Sequence, residues 1–272
     1  MVGNNRQVWY TFADMNADLT KENKAYWLKR AAGYSEVNRE ELSGVQRNTW
    51  TSFLTKEITA AFPDRAPADI SIIDIGAGPG FLSIILAEAG YKVTAFDFAE
   101  TMIEEAKANA GELAGQIQFV QGDAMNLAFE DGSFDVVISR NLTWNLPDPA
   151  KAYQQWTRVL RSGGLMMVFD ANWYRYLIDE DKRAAYDEDR QKVAEEGYGD
   201  YNIGDDFDKM EVIAGKMPLT AQLRPQWDLE YLTELQAGQV TVQEDVGQLV
   251  YSKKELVNYK STPLFMVKLV RK

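Results

Sequence analysis

Between residues 70 and 170 the chain repeats one pattern. Short runs rich in Ile, Val and Phe alternate with longer stretches in which apolar residues recur at helical spacing. The runs predict strands over 70–75, 92–97, 117–121, 134–139 and 164–170, and the intervening stretches predict helices over 81–89, 100–110 and 149–160. Continuous apolar runs of this length mark strands covered on both faces. Strands alternating with helices imply a parallel sheet with right-handed crossovers. Two further extended runs, 239–246 and 264–270, predict an antiparallel pair that closes the sheet, with 252–259 as a short helix between them. Upstream, residues 1–20 carry Trp9, Tyr10 and Phe12 among polar residues and read as an irregular arm. Helices are expected over 21–32 and 37–62, separated at Gly33-Tyr34-Ser35 and stopped at Pro63, with 63–68 as the linker to the sheet.

The first run leads into Asp74-Ile-Gly76-Ala77-Gly78-Pro-Gly80, and a helix follows. Strand, glycine loop and helix in succession form a nucleotide-binding turn, since bare backbone adopts positive φ cheaply and lets a ligand approach closely. The spacing is not that of a dinucleotide fingerprint: Phe81 stands where G-x-G-x-x-G wants its third glycine. Asp97 ends the next strand, 17 residues beyond Gly80, where an acid can accept both hydroxyls of a ribose. The less favoured alternative is that it caps the helix that follows.

The D-x-G-x-G-x-G loop resembles motif I of the class I S-adenosylmethionine (SAM) methyltransferases. Asp97, the acid Asp123 after the third strand, the Phe134-Asp135 pair and Leu160-Arg-Ser-Gly-Gly164 stand in that family's order. Ser162 replaces the family's usual proline. Within the family, the chain is most similar to the small-molecule group that includes the quinone-biosynthesis C-methyltransferases. The resemblance implies an α/β fold: a seven-stranded, mostly parallel, doubly wound sheet with an antiparallel C-terminal strand pair, an N-terminal helical segment and a helical lid inserted after the fifth strand. It divides the chain into a helical cap (1–66), a SAM-binding core (67–170), an acidic, aromatic-rich lid (171–238) and closing strands (239–272). The expected activity is methyl transfer from SAM, yielding S-adenosylhomocysteine, to a small molecule through N, O or C. The alternatives are a methyltransferase acting on a protein or nucleic-acid residue and a SAM-binding protein without catalysis. The implied cofactor contacts are Asp74, Gly76, Ala77, Gly78, Gly80, Asp97, Phe98, Met102, Asp123, Ala124 and Asn141. Tyr34 joins them as the tyrosine that similar proteins lay over the methionine, or else packs the helices together.

Composition narrows the chemistry. The chain has 272 residues, a formal net charge of −12, no cysteine and no histidine. A disulfide framework, a thiolate nucleophile and a His-based triad or metal site are therefore excluded, and any general base must be Asp, Glu, Tyr or Lys. No basic stripe for nucleic acid is visible. No apolar run is long enough to span a membrane, and no leader is apparent, so the cytoplasm is the expected compartment. Nothing in the sequence separates a monomer from a homodimer.

Residues 171–238 hold sixteen acids against eight basic residues, together with Trp173, Tyr174, Tyr198 and other aromatics. A connection of this length is usually functional. Its charge suggests a cationic or amine acceptor, with Trp144, Asn172, Trp173, Tyr174 and Tyr198 as candidate contacts; solvated helix faces and packing would explain the same residues. Asp170 and Asn172 follow the fifth strand where catechol O-methyltransferases hold magnesium, but Ser139-Arg140-Asn141 offers no acid to complete such a site, so no metal is expected. Asn141-Leu-Thr-Trp144 shares the Asn-to-aromatic spacing of the N-P-P-Y type pattern in amino-methyltransferases, without its prolines. Asn141 and Trp144 are thus candidates to position the acceptor, or else a turn and its packing.

Overall fold

The computed structural model describes residues 12–202 and 205–272. Trp9 and Tyr10 lie outside them. Two helices come first, α1 (Phe12–Ser43) and α2 (Val45–Ala61). The sheet domain then runs β1 (Ser71–Ile75), α3 (Phe81–Glu88), β2 (Lys92–Asp97), α4 (Glu100–Ala110), β3 (Ile117–Gln121), β4 (Phe134–Arg140), α5 (Pro149–Val159) and β5 (Leu160–Asp170). After β5 come α6 (Glu180–Glu195), α7 (Asp205–Ala214) and α8 (Gln226–Glu234). The chain closes with β6 (Gly238–Gln243), α9 (Gly247–Val250), α10 (Lys253–Asn258) and β7 (Phe265–Arg271).

The seven strands lie in the order β3-β2-β1-β4-β5-β7-β6, the first five parallel and β7 antiparallel to both its neighbours. Alternate residues of β1 explain why the sheet is covered twice. Ile72 faces a core with Trp50, Leu54 and Ile58 of α2, whereas Ile73 and Ile75 face Tyr153 and Trp156 of α5. All of these side chains are fully buried.

Two sequence expectations change. Helix α1 starts within the stretch expected to be an irregular arm and runs through Gly33-Tyr34-Ser35 without a break; the chain turns instead at Gly44, which is extended (φ −92°, ψ −173°). A glycine inside a helix weakens it by only about 1 kcal/mol, and packing of α1 against α4, α7 and α2 offsets that. Strand β5 begins at Leu160 rather than at Gly164, because Phe134 pairs with Leu160 before a register shift brings Val136 opposite Leu165. Among the described residues, no helix is long and apolar enough to cross a membrane.

Candidate functional site

Three positive-φ glycines shape the loop after β1, and they do different things. Gly76 (φ 73°) lies against Leu142: a Cβ there would sit 2.7 Å from a Leu142 methyl. Gly78 (φ 53°) faces the Tyr34 ring, with 3.6 Å from its would-be Cβ to the nearest ring atom. Gly80 (φ 95°) packs α3 on α4, 3.1 Å from Ala106 Cβ. Gly76 thus lies under the residue that follows β4 by two, Gly78 under the Tyr34 ring, and Gly80 serves helix packing.

The acids beside this loop are buried. Asp97 accepts the backbone N–H groups of Gly78 and Ala99, each at 2.9 Å. It thus braces the glycine loop and the entry to α4 together, and each oxygen keeps a further lone pair. Burial pushes its carboxyl up to about 6, against those backbone hydrogen bonds. Asp74 accepts from Ser83 Oγ at 2.6 Å, and burial pushes it up to about 6 as well.

A cavity of about 340 Å³ opens beside Asp97. Gly76, Asp97 and Phe98 form one side, and Gln121, Asp123, Ala124 and Met125 another. Leu142 and Asn145 close the third, and Thr20, Asn23 and Lys24 of α1 form the roof. Asn23 donates to the Asn145 backbone carbonyl at 3.0 Å, yet the side-chain oxygens of Asn23 and Asn145 are buried without any partner. Unpaired buried acceptors are costly. Both residues line this cavity.

A second cavity, about 560 Å³, lies on the other side of the β4–α5 loop. Tyr26, Trp27 and Tyr34 of α1 line it, as do Trp144, Trp173 and Tyr174. Tyr201, Phe207 and Tyr259 complete the aromatic wall. The remaining described lining residues are Asn141, Asn202, Arg30 and Lys209, so none is aliphatic and none is acidic. The two cavities meet at consecutive residues, Asn141 on one side and Leu142 on the other. Asn141 adopts a left-handed conformation (φ 57°), and its side chain hydrogen-bonds the Tyr34 hydroxyl. Its Oδ1 is buried without a partner. Trp27 Nε1, on the same wall, is likewise buried and unpaired.

Beneath these walls two buried ion networks hold the elements in place. Arg140 pairs bidentately with Glu41 of α1, both contacts 2.8 Å, and stacks over the Phe81 ring with its guanidinium carbon 4.7 Å from the centroid. Arg224 pairs with Asp170 at 2.6 Å and with Asp228 at 2.7 Å, all three side chains essentially inaccessible. Asp170 also accepts from Thr143 Oγ1, the Trp144 and Ala171 backbone N–H groups and Trp173 Nε1. Its carboxylate is fully used in joining the β4 loop to the insertion.

Gly76, Asp97, Phe98, Asp123 and Ala124 come together at the first cavity, and Tyr34, Asn141, Trp144, Trp173 and Tyr174 at the second. Asp74, Ala77, Gly78 and Gly80 belong to the loop and line neither. Three candidates outside the loop are also not brought to either wall. Met102 is buried under α1 with Ala31 and Ala99. Asn172 spends its amide on the Arg224 backbone, donating at 2.7 Å and accepting at 3.2 Å. Tyr198 follows the end of α6, where its N–H bonds Val193 O. The acids of the insertion also go elsewhere: Asp228 to Arg224, Glu211 to the Tyr176 hydroxyl, Asp189 to the Ser261 N–H. The charge that suggested a cationic acceptor is absent from the described wall, which carries Arg30 and Lys209 instead. Asn23, Asn145 and Arg30 had no motif to reveal them. The only sequence signal was the amphipathic stretch 21–32, which gives no indication of what lies beneath it.

Residues 73–168 match the family model described as a methyltransferase domain. The demethylmenaquinone methyltransferase of Clavibacter sepedonicus is 32 % identical over 159 residues, which cover 57 % of this chain and 61 % of that protein. The ubiquinone/menaquinone biosynthesis C-methyltransferase of Roseobacter denitrificans is 36 % identical over 120 residues, 43 % of this chain and 47 % of that protein. The matched regions thus span less than two thirds of these relatives' own length. Among solved structures, a candidate S-adenosyl-L-methionine-dependent methyltransferase of Methanococcus maripaludis superposes with a TM-score of 0.56 at 23 % identity, covering 90 % of this chain and 93 % of that one. Residues 73–168 thus match a methyltransferase domain, and the chain has the class I S-adenosylmethionine methyltransferase fold and is similar to the quinone-biosynthesis methyltransferases.

Proposed function

We propose that the protein is a SAM-dependent methyltransferase acting on a small molecule. The observation that carries this reading is the pair of cavities meeting at Asn141 and Leu142, one lined by Gly76 and Asp97, the other by aromatic rings. The names of the relatives above support the reaction class. When bound, SAM supplies a methyl group made electrophilic by its sulfonium.

In this reading Asp97 accepts the ribose hydroxyls with its remaining lone pairs. Asp123 and Ala124 border the adenine, Gly76 and Gly78 admit the methionine arm, and Tyr34 covers it. Asn23 and Asn145 border the nucleoside. The acceptor enters the aromatic cavity, where Asn141 and Trp144 orient it; methyl transfer is an in-line displacement in which positioning supplies much of the acceleration. Helices α1 and α7 act as the lid, since they pack on each other through Leu19, Met210 and Ile213 around Trp144.

Titration calorimetry with SAM and with S-adenosylhomocysteine tests the cofactor half. A metabolite extract incubated with methyl-labelled SAM tests transfer. Absence of SAM binding would overturn the reading, as would tighter binding of NAD.

A further inference from the structure

We propose that Asn258, which lies outside both cavities, is a positioning residue that sets acceptor affinity by fixing the part of the aromatic wall supplied by Tyr201 and Asn202. This rests on the methyltransferase reading and deepens it. Tyr201 and Asn202 line the aromatic cavity and belong to the stretch between α6 and α7. Residues 198–202 form neither helix nor strand. Their backbone groups therefore need side-chain partners to fix them, since no ladder does so.

Asn258 supplies those partners. It is the last residue of α10 and is 2 % exposed. Its Nδ2 donates to the Gly199 carbonyl at 3.2 Å and to the Lys254 carbonyl at 3.0 Å. Its Oδ1 accepts the Tyr201 N–H and the Arg190 guanidinium, each at 3.2 Å. One amide thus bonds a carbonyl and an N–H two residues apart, as a neighbouring strand would. Arg190 of α6 extends the clamp, pairing with the Asp200 carboxylate and donating to the Asn258 carbonyl. Asp200 in turn accepts the Asn202 N–H at 2.8 Å.

The helix that carries Asn258 is itself anchored. Ser252 and Glu255 form a capping box at its start, and Gln46 of α2 donates to Glu255 at 2.8 Å. Tyr259, the next residue, lines the aromatic cavity and stacks on Tyr201 with ring centroids 5.9 Å apart. Lys254, one turn before Asn258, holds its ammonium 4.2 Å from the Tyr201 ring centroid. The end of α10 therefore supplies one ring of the wall and sets the place of another. A misplacement of about 1 Å in groups that position a substrate can lower rates about a hundredfold. Asn258, Arg190 and Asp200 line neither cavity, and neither Tyr201 nor Asn202 lines the one beside Asp97, so the effect falls on the acceptor and spares SAM.

The test uses the full chain, methyl-labelled SAM and a deproteinised metabolite extract at graded dilutions, following the principal labelled product. For Asn258→Ala the extract fraction that gives half the maximal rate should rise about tenfold, with the maximal rate per folded molecule within about threefold and the SAM Kd within about twofold. Amide exchange should quicken over 199–202. Asn258→Asp keeps the oxygen that accepts from Tyr201 and Arg190 and loses the donor to Gly199, so it should fold and show a smaller rise. Asp189→Asn is the control: Asp189 ties α6 to the segment after α10 by accepting the Ser261 N–H at 2.7 Å, a bond that does not involve 199–202. It should lower Tm and leave the half-maximal fraction unchanged. An unchanged fraction in both Asn258 variants, an equal rise in Asp189→Asn, or an equal weakening of SAM binding would each overturn the proposal while sparing the methyltransferase reading. Failure of the unaltered chain to bind SAM or to label any product would overturn both.

Discussion

The Asp97 carboxylate receives the Gly78 backbone N–H at 2.9 Å, so the acid at the end of β2 holds the glycine loop at the end of β1. Its other oxygen receives the Ala99 N–H ahead of α4. The residue is therefore brace and candidate ligand contact at once. Asp97→Ala should weaken SAM binding by roughly 2–3 kcal/mol, the scale of lost charge-assisted hydrogen bonds. It should also lower thermal stability, because two buried N–H groups lose their acceptor. Calorimetry and a melting curve read the two effects separately, and unchanged SAM affinity would remove the ribose assignment.

The buried carboxyls make stability depend on pH in an unusual direction. Burial pushes the Asp74 and Asp97 carboxyls up to about 6 in the folded protein, against an ordinary value of 3.8. Between about pH 4 and 6 the folded state holds protons that the unfolded chain has released, so their contribution falls as pH rises through that window, by up to about 3 kcal/mol for each group. Asp74→Asn and Asp97→Asn should each flatten the dependence of Tm on pH there. SAM affinity should move oppositely, rising through pH 6, because hydroxyl donors favour the charged carboxylate. A pH-independent affinity would show that Asp97 does not face the ligand.

Asn141 and Trp144 separate by role. Trp144 is 8 % exposed, donates its Nε1–H to Asn141 O at 3.0 Å and lies 4.8 Å from the Tyr174 ring centroid. Trp144→Ala should cost about 3–5 kcal/mol of stability, as for other buried large-to-small changes. Asn141→Gly keeps the left-handed backbone and removes only the amide. Turnover should fall at least tenfold, about 1.4 kcal/mol of barrier, with SAM affinity within about twofold. Full turnover in Asn141→Gly would move the acceptor site elsewhere on the aromatic wall.

Arg224 neutralises two buried carboxylates, and removing it leaves both uncompensated. Arg224→Gln should destabilise the protein by roughly 3–5 kcal/mol. Amide exchange should quicken first in α8 and around Trp144, the two regions it joins. A drop in Tm of only a degree or two would contradict the buried network.

Ligand protection should appear on α1 and α7 together. Product binding should slow exchange across residues 20–34 and 207–217, because both helices border the cavities and pack on each other. Protection of α1 alone would uncouple α7 from closure.

The sequence by itself determined the sheet and the glycine loop. Each rests on contacts local in the chain: apolar runs bounded by turns, positive-φ glycines between a strand and its helix, an acid at a strand end. Tertiary structure decided the cavity walls, because they are assembled from segments with no shared local pattern. Helix α1 became the roof because it continues through Gly33, which packing against α4 and α7 decided and propensity did not. Asp170 became a structural anchor because Arg224, 54 residues further on, folds back onto it. The acidity of the insertion, conspicuous in the sequence, goes partly to partners within the fold, as at Asp189, Glu211 and Asp228, and partly to exposed helix faces such as Glu180, Asp181 and Asp187. Composition sums charge over a segment, whereas only packing decides which charges face a ligand.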